Sequence, residues 1–273
     1  LEQAGVDAQK LKVERARLLL RSGDLAAARE QFLTITKQAT APVDAWYSLA
    51  LIGFLQKDQA LVERATPALE RDRRYLPGLL LVGEWSLQRR RVDKARSCFE
   101  QALSLDPANQ HALERLLMIH YMERDAERLQ ARASILLSMQ PDHALGHFAL
   151  ANVHLAQGRL DLAEVALRRC LALGESGQAR NDLAWLLGEA NQLDEALVHA
   201  RRAVELQPGD ANAWETLADI YLKRGEWAEG WVAIEKAMAL AEDRSPGILL
   251  TATRLYLASG DRTKAGETFD RLS

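Results

Sequence analysis

The sequence is poor in several residue types, and each scarcity restricts what the chain can be. Its 273 residues include two cysteines and seven prolines, and aromatic residues make up 6%. Cys98 and Cys170 are too few for a disulfide framework, so we expect both to be small buried apolar side chains. No apolar stretch approaches the length of a membrane span, and no segment resembles a signal peptide. The sequence leaves both a cytoplasmic and a periplasmic location open.

Neither acidic nor basic residues are in large excess. The chain has 35 basic and 38 acidic residues, which gives a formal net charge of −3. Such a balance lacks the positive field that attracts nucleic acid or an anionic membrane surface. We therefore predict no nucleic-acid partner and, without an apolar span, no direct membrane insertion. Arginine outnumbers lysine, which favours a bacterial source.

Motifs that carry catalytic or cofactor chemistry are missing as well. The sequence has no Gly-rich phosphate loop, no paired-cysteine motif and no nucleophile elbow. His143 and His147 have the i, i+4 spacing of metal ligands, but His143 falls in a predicted turn. Carboxylates occur throughout the chain, so no pair is singled out for acid–base work. We predict a chain that is not an enzyme and that needs no cofactor and no metal ion.

What the sequence does contain is a phrase that recurs about every 34 residues. Its fullest copies read Trp214, Leu217, Ala218, Tyr221, Gly225, Ala237 and Gly83, Ala95, Phe99, Ala102, Pro107. Turn residues recur in step at Gly23, Gly158, Asn191, Gly225 and Gly260. A period of this length indicates a stack of small units rather than a globule around one pocket.

The repeated phrase resembles the tetratricopeptide repeat, and the resemblance covers nearly the whole chain. It implies an all-α fold, a right-handed superhelical solenoid of antiparallel helix pairs, in a single domain over residues 1–273. The units fall at about 9–42, 43–75, 76–109, 110–143, 144–176, 177–210, 211–245 and 246–273. Alternation of period two is absent, so we expect essentially no sheet.

In this family the first helices of successive units line a concave groove, and the resemblance carries that groove onto particular positions. The implied groove residues are Tyr47, Leu51, Phe54, Glu84, Met118, Tyr121, Met122, Phe148, Asn152, Asn181, Trp185, Glu215, Asp219 and Arg254. The earlier positions are mostly apolar and aromatic. The later ones are mostly polar, and their asparagine amides can hold a peptide backbone. The alternative is that these side chains only touch one another across a tight superhelix.

The resemblance implies a non-catalytic scaffold that binds a partner protein or peptide in this groove. Phe148 stands where a clamp for C-terminal carboxylates needs lysine, which disfavours an adaptor for chaperone tails. Two alternatives stay open. The tract 181–187 resembles segments of larger bacterial envelope or exopolysaccharide assembly proteins, and the chain could also be a self-associating scaffold. The partner and the oligomeric state remain open.

Two further features carry structural expectations. Pro67 falls inside the predicted helix from about Asp58 to Arg71, where its ring removes a backbone hydrogen bond, so we expect a kink or a break. Arginine pairs at 168–169 and 201–202 occupy the same places in consecutive units. Acidic neighbours predict that these pairs form a solvated face of weak ion pairs.

Overall fold

The fold consists of α-helices that follow one another along the chain. The computed structural model describes residues 2–241 and 245–271, with side chains from residue 9 onward, and these residues contain no strand. The helices are α1 (Glu2–Arg21), α2 (Leu25–Ile35), α3 (Val43–Leu55), α4 (Gln59–Arg71), α5 (Leu76–Gln88), α6 (Val92–Leu105), α7 (Gln110–Met122), α8 (Ala126–Met139), α9 (Ala144–Ala156), α10 (Leu160–Leu173), α11 (Gly177–Glu189), α12 (Leu193–Leu206), α13 (Ala211–Arg224), α14 (Trp227–Leu240), α15 (Pro246–Ala258) and α16 (Arg262–Asp270). None of the helices in this part of the chain is both long and apolar enough to cross a membrane.

The helices form consecutive pairs that match the predicted repeats, which confirms the all-α architecture. An odd-numbered helix opens each repeat, and within each compact unit it packs against the even-numbered helix that follows it, for example α11 with α12. From the second repeat to the eighth, every predicted start is the first residue of a helix, from Val43 to Pro246. The first repeat begins earlier than the predicted residue 9, because α1 starts at Glu2.

The chain divides into two compact units. The N-terminal unit covers residues 1–123 and holds α1 to α7, and the C-terminal unit covers residues 124–273 and holds α8 to α16. The core of the N-terminal unit includes Phe32 and Leu49, and that of the C-terminal unit includes Leu167 and Leu183. The boundary falls inside the fourth predicted repeat. A single solenoid domain over residues 1–273 therefore stays a prediction.

The turn inside each repeat places one residue in the left-handed backbone conformation, at the same point in all eight repeats. These residues are Gly23, Lys57, Arg90, Arg124, Gly158, Asn191, Gly225 and Gly260, with φ between 55° and 84°. The sequence predicted the glycines and Asn191. The three cations adopt the same conformation although it costs a side-chain-bearing residue roughly 1–2 kcal/mol. The packing of the helix pair therefore sets the conformation of this turn, and only some repeats have a residue type that is suited to it.

Of the kink or break expected at Pro67, the break is wrong, and the kink stays a prediction. Helix α4 runs without interruption from Gln59 to Arg71 with Pro67 inside it. The Asp58 carboxylate caps its first turn by accepting from the Leu61 amide at 3.2 Å, and Leu61 and Leu69 are buried in the core. Pro67 is exposed, so its ring lies on the solvent side while the buried face holds the helix in place.

Candidate interaction faces

The predicted groove residues all lie on the first helices of their repeats and fall into one set in each compact unit. The N-terminal set is Tyr47, Leu51, Phe54, Glu84, Met118, Tyr121 and Met122, on α3, α5 and α7. The C-terminal set is Phe148, Asn152, Asn181, Trp185, Glu215, Asp219 and Arg254, on α9, α11, α13 and α15. Within the C-terminal set the structure brings Asp219 and Arg254 into direct contact. A single groove through both sets stays a prediction.

A charged network joins three first helices of the C-terminal set. Asp219 on α13 accepts a hydrogen bond from Arg254 Nη1 on α15 at 2.6 Å. Its carboxylate also lies 2.9 Å from Lys223 Nζ, and the same ammonium donates to Glu189 on α11 at 2.7 Å. The contacts of Arg254 with Asp219 and of Lys223 with Glu189 each join two repeats, so they hold the consecutive first helices in a fixed register.

Buried carboxyls accompany this network. The Thr251 hydroxyl donates to Glu215 Oε1 at 2.5 Å, and burial, with a further contribution from the Asp219 charge, raises the pKa of Glu215. Burial also raises the pKa of Asp182 on α11 to about 6, although hydrogen bonds with Asn181 and Asn152 act in the opposite direction. The C-terminal set therefore holds acidic groups where charge is costly.

Besides members of the C-terminal set, these contacts involve Asp182, Glu189, Lys223 and Thr251. Asp182 and Thr251 stand at the sixth place of their repeats, and Glu189 and Lys223 stand at the thirteenth. Those are places that the resemblance assigns to the groove. The place within the repeat is therefore the sequence signal that identifies them.

Apolar surface in the C-terminal set is concentrated at Trp185, whose side chain is 44% exposed. Asn181 and Glu189 lie one turn before and one turn after it on α11, on the same side of the helix. Phe148 is half-buried and packs against the core of the unit. The one strongly exposed aromatic ring of this set thus stands between polar side chains.

The N-terminal set is more apolar, and its charge is neutralised. Tyr47 meets Tyr75 edge to face at a ring distance of 5.7 Å, and both rings pack on the core. Glu84 accepts a hydrogen bond from Arg115 Nε at 2.5 Å and lies 2.9 Å from His111 Nε2. Both partners are on α7. Exposed methionine supplies the remaining surface of this set. The residues concerned are Met118, 46% exposed, and Met122, 60% exposed.

Three of the four paired arginines on the second helices, Arg168, Arg169 and Arg202, form ion pairs, as predicted. Arg168 bonds Glu195 of the next repeat at 2.6 Å and lies 2.9 Å from Glu164 in its own helix. Arg202 lies 2.9 Å from Glu205, and Arg201 Nε donates to the Tyr221 hydroxyl at 3.1 Å. These exposed pairs are worth about 0–1 kcal/mol each, so the face is a solvated one.

The histidines and cysteines of the described residues are not arranged as a metal site or a reactive site. In the residues with described side chains, no three His, Cys, Asp or Glu side chains are arranged to hold a metal ion. His147 Nε2 lies 2.8 Å from the Pro141 carbonyl oxygen. Cys98 and Cys170 are free and buried, and burial raises the pKa of both thiols, which makes them inert. The predicted role of both as small buried side chains is confirmed.

Comparison with known proteins identifies relatives over most of the chain. The family model for the tetratricopeptide repeat matches residues 13–61, 87–128, 129–177 and 181–247. The human Protein O-mannosyl-transferase TMTC3 is 25% identical over 195 residues, which are 70% of this chain and 21% of that protein. The chain thus spans about a fifth of this curated relative.

Solved structures show the same fold. In the APC/C hetero-tetramer Cut9–Hcn1, the matching chain superposes with a TM-score of 0.68 at 16% identity, covering 91% of this chain and 49% of that one. PilW, a type IV pilus biogenesis factor, superposes with a TM-score of 0.59 at 19% identity, covering 71% of this chain and 90% of that one. At such identities the likeness is one of fold alone.

Proposed function

The chain belongs to the tetratricopeptide-repeat family, and we propose that it is a non-catalytic scaffold that binds an extended peptide segment of a partner protein on its first helices. Repeats of this kind present extended surfaces to protein partners and need no chemical step. The observation that carries the proposal is the C-terminal set. There an exposed indole, Trp185, stands on the same helix side as Asn181 and next to a network that spans three first helices.

The polar groups of this set suit a peptide backbone. Asn152 Nδ2 donates to the Phe148 carbonyl at 3.0 Å, which fixes its amide and leaves the amide oxygen as an acceptor. Asn181 Oδ1 is buried and has no hydrogen-bond partner in the described part of the chain. Acceptors held in this way favour a ligand that brings N–H donors, and Trp185 supplies a rigid ring for one of its side chains.

The charge of the C-terminal set restricts the partner further. Four carboxyls, those of Asp182, Glu189, Glu215 and Asp219, accompany two cations, Lys223 and Arg254. An excess of acid repels a terminal carboxylate and attracts lysine and arginine side chains. The bound segment is therefore a basic or neutral one, approached through its backbone amides.

The N-terminal set supplies an apolar continuation. Tyr47 and Phe54 are half-buried, and Met118 and Met122 present flexible thioethers that adapt to different side chains. We propose that both sets belong to one groove of a single solenoid domain over residues 1–273. Tyr121 and Leu51 belong to the same proposed surface.

The two alternatives, an envelope-assembly segment and a self-associating scaffold, each have a test of their own. PilW shares the fold, and its role in pilus biogenesis is compatible with an envelope-assembly segment in a larger bacterial protein. The length of the human relative, of which this chain spans 21%, fits a repeat segment within a longer protein. The complete gene sequence decides this alternative and the bacterial source. Light scattering of the purified chain tests whether it is a self-associating scaffold.

Selection from a library of random dodecapeptides displayed on phage tests the proposal. Wild-type chain should enrich peptides with lysine or arginine beside an apolar residue. The Trp185→Ala chain should lose them, whereas the control variant Trp227→Ala should keep them. Trp227 is a matched control because it is 46% exposed but lies on α14, a second helix. If the Trp227 variant loses the peptides and the Trp185 variant keeps them, the second helices carry the function instead.

A further inference from the structure

A cleft separates two second helices of the N-terminal unit. Two adjoining cavities of about 410 and 270 Å³ lie between α4 and α6, above α5. They share Glu70, Val82 and Lys94, so they form one continuous cleft. Its floor is apolar and comes from α5, with Leu79, Val82 and the half-buried Trp85. The N-terminal set lies on α3, α5 and α7, whereas α4 and α6 form the walls of this cleft. Only α5, which forms the floor, is common to both.

The cleft is elongated, because its walls follow the helices. Residues from Glu63 to Arg73 line it on α4 and just beyond the end of that helix, and residues from Arg91 to Gln101 line it on α6 and its N-cap. Ten residues of helix rise about 15 Å. An extended peptide covers that distance with about five residues. A space of this length suits a chain segment better than a compact small molecule.

The charges along the rim leave two cations without partners. Arg89 lies 3.2 Å from Glu63, and Lys94 forms an ion pair with Glu70 across the middle of the cleft. Arg91 lines the cavity at one end and Arg73 the cavity at the other. No ion pair with either of these two guanidinium groups is found in the described ranges 2–241 and 245–271. Positive charge therefore remains at both ends of the cleft.

We propose that this cleft binds an extended acidic peptide segment of a partner protein. Two carboxylates of the segment, about five residues apart, meet Arg73 and Arg91, and an apolar side chain between them packs on Val82 and Trp85. Arg89 stacks over the Trp85 ring at 5.6 Å, which stiffens that part of the floor. A single small anion meets only one of the two guanidinium groups, because they stand at opposite ends. Binding here is separate from binding on the first helices, where the excess of acid repels such a segment.

The phage-displayed dodecapeptide library also tests this proposal. Wild-type chain should enrich a second class of peptides, with two acidic residues four to six positions apart. Synthetic peptides of this class, titrated against the Arg73→Glu/Arg91→Glu chain, should bind at least tenfold more weakly than to wild type. The matched control is Arg64→Glu/Arg71→Glu, which reverses two exposed arginines of α4 that do not line the cleft. That control should retain the affinity.

Several outcomes overturn the proposal. One is that no acidic class is enriched, and another is that the control double variant weakens binding as much as the cleft variant. A third is that the Trp185→Ala chain loses the acidic peptides, which would place them on the first helices. Thermal melting identifies a variant that fails to fold, and Arg73→Gln/Arg91→Gln then replaces it. Binding of the acidic peptides that is unchanged in this neutral variant also contradicts the proposal.

Discussion

Arg96 on α6 forms an ion pair with Glu123, which caps the end of α7, and so fastens one repeat to the next. The same two places of the repeat are in contact three more times, 26 or 27 residues apart. The other contacts are Arg29 with Gln56 at 3.3 Å, Glu63 with Arg89 at 3.2 Å and Gln130 with Gln157 at 3.4 Å. The charge order is opposite in the two ion pairs, Glu63 with Arg89 and Arg96 with Glu123. Complementary side chains at this point therefore favour the correct neighbour for each repeat.

A double-mutant cycle on Arg96 and Glu123 measures this contact. Replacing both by Ala, singly and together, should give a coupling of about 0.5–1 kcal/mol in urea unfolding, since the pair is only partly buried. The coupling should fall in 1 M salt, because salt screens exposed charges. The uncharged pair Gln130 and Gln157 is the matched control. A coupling that does not respond to salt would show that the charges are not what fastens the repeats.

The left-handed turn predicts opposite effects of glycine and alanine at one place of the repeat. Arg90→Gly should raise the free energy of unfolding by about 0.5–1 kcal/mol, because glycine relieves the strain of φ 56° at some cost in chain entropy. Gly158→Ala, at the equivalent place, should lower it by about 1–2 kcal/mol. Urea unfolding checks both variants. If Arg90→Gly destabilises the chain, its side chain contributes a contact that outweighs the strain.

Gly83 marks a close approach between the two helices of the third repeat. A methyl group there would lie 2.7 Å from ring atoms of Phe99, which is fully buried. Gly83→Ala should therefore destabilise the chain by about 1–3 kcal/mol through overpacking. Gly266→Ala, in a helix position with open space, should stabilise it by up to about 1 kcal/mol. Equal effects of the two changes on thermal melting would contradict this packing.

Most of the fold could be predicted from the sequence, because the repeat phrase fixes both period and turn. The starts of repeats two to eight are correct, since Pro, Gly and small residues mark them. Arg90 and Arg124 show where the pattern fails, because an arginine in the sequence does not indicate a left-handed conformation. The break expected at Pro67 is the opposite case. A strong local signal is overridden by the buried face of α4.

The candidate site could be predicted less fully. Places within the repeat identify which residues lie on first helices, and the contacts of Asp219 and Glu84 agree with that. Burial depends on three-dimensional packing, so the raised pKa of Asp182 could not be read from the chain. The cleft between α4 and α6 likewise has no sequence signature, because it is a space between helices.

Asp182 makes stability depend on pH. Its pKa in the folded chain, about 6, is above its usual 3.8, so the folded chain holds the proton more tightly than the unfolded chain. The free energy of unfolding should therefore fall as pH rises from about 4 to 6, by up to about 3 kcal/mol, and stay lowered above that.

The variant Asp182→Asn isolates this contribution. It should stabilise the chain at pH 7.5 and have little effect at pH 4, as measured by urea unfolding at both values. Asp161→Asn, which changes an exposed residue of α10, should shift stability by less than about 1 kcal/mol at either pH. A stabilisation by Asp182→Asn that is the same at pH 4 and pH 7.5 would rule out the buried charge as its cause.

The most direct test of peptide binding on the first helices is an NMR titration that follows the tryptophan indole N–H signals. A basic peptide selected on wild-type chain is added to ¹⁵N-labelled protein, with the signals assigned from Trp185→Phe and Trp227→Phe chains. The indole of Trp185 should shift with increasing peptide while that of Trp227 stays in place. A shift of Trp227 with no change at Trp185 would contradict the account.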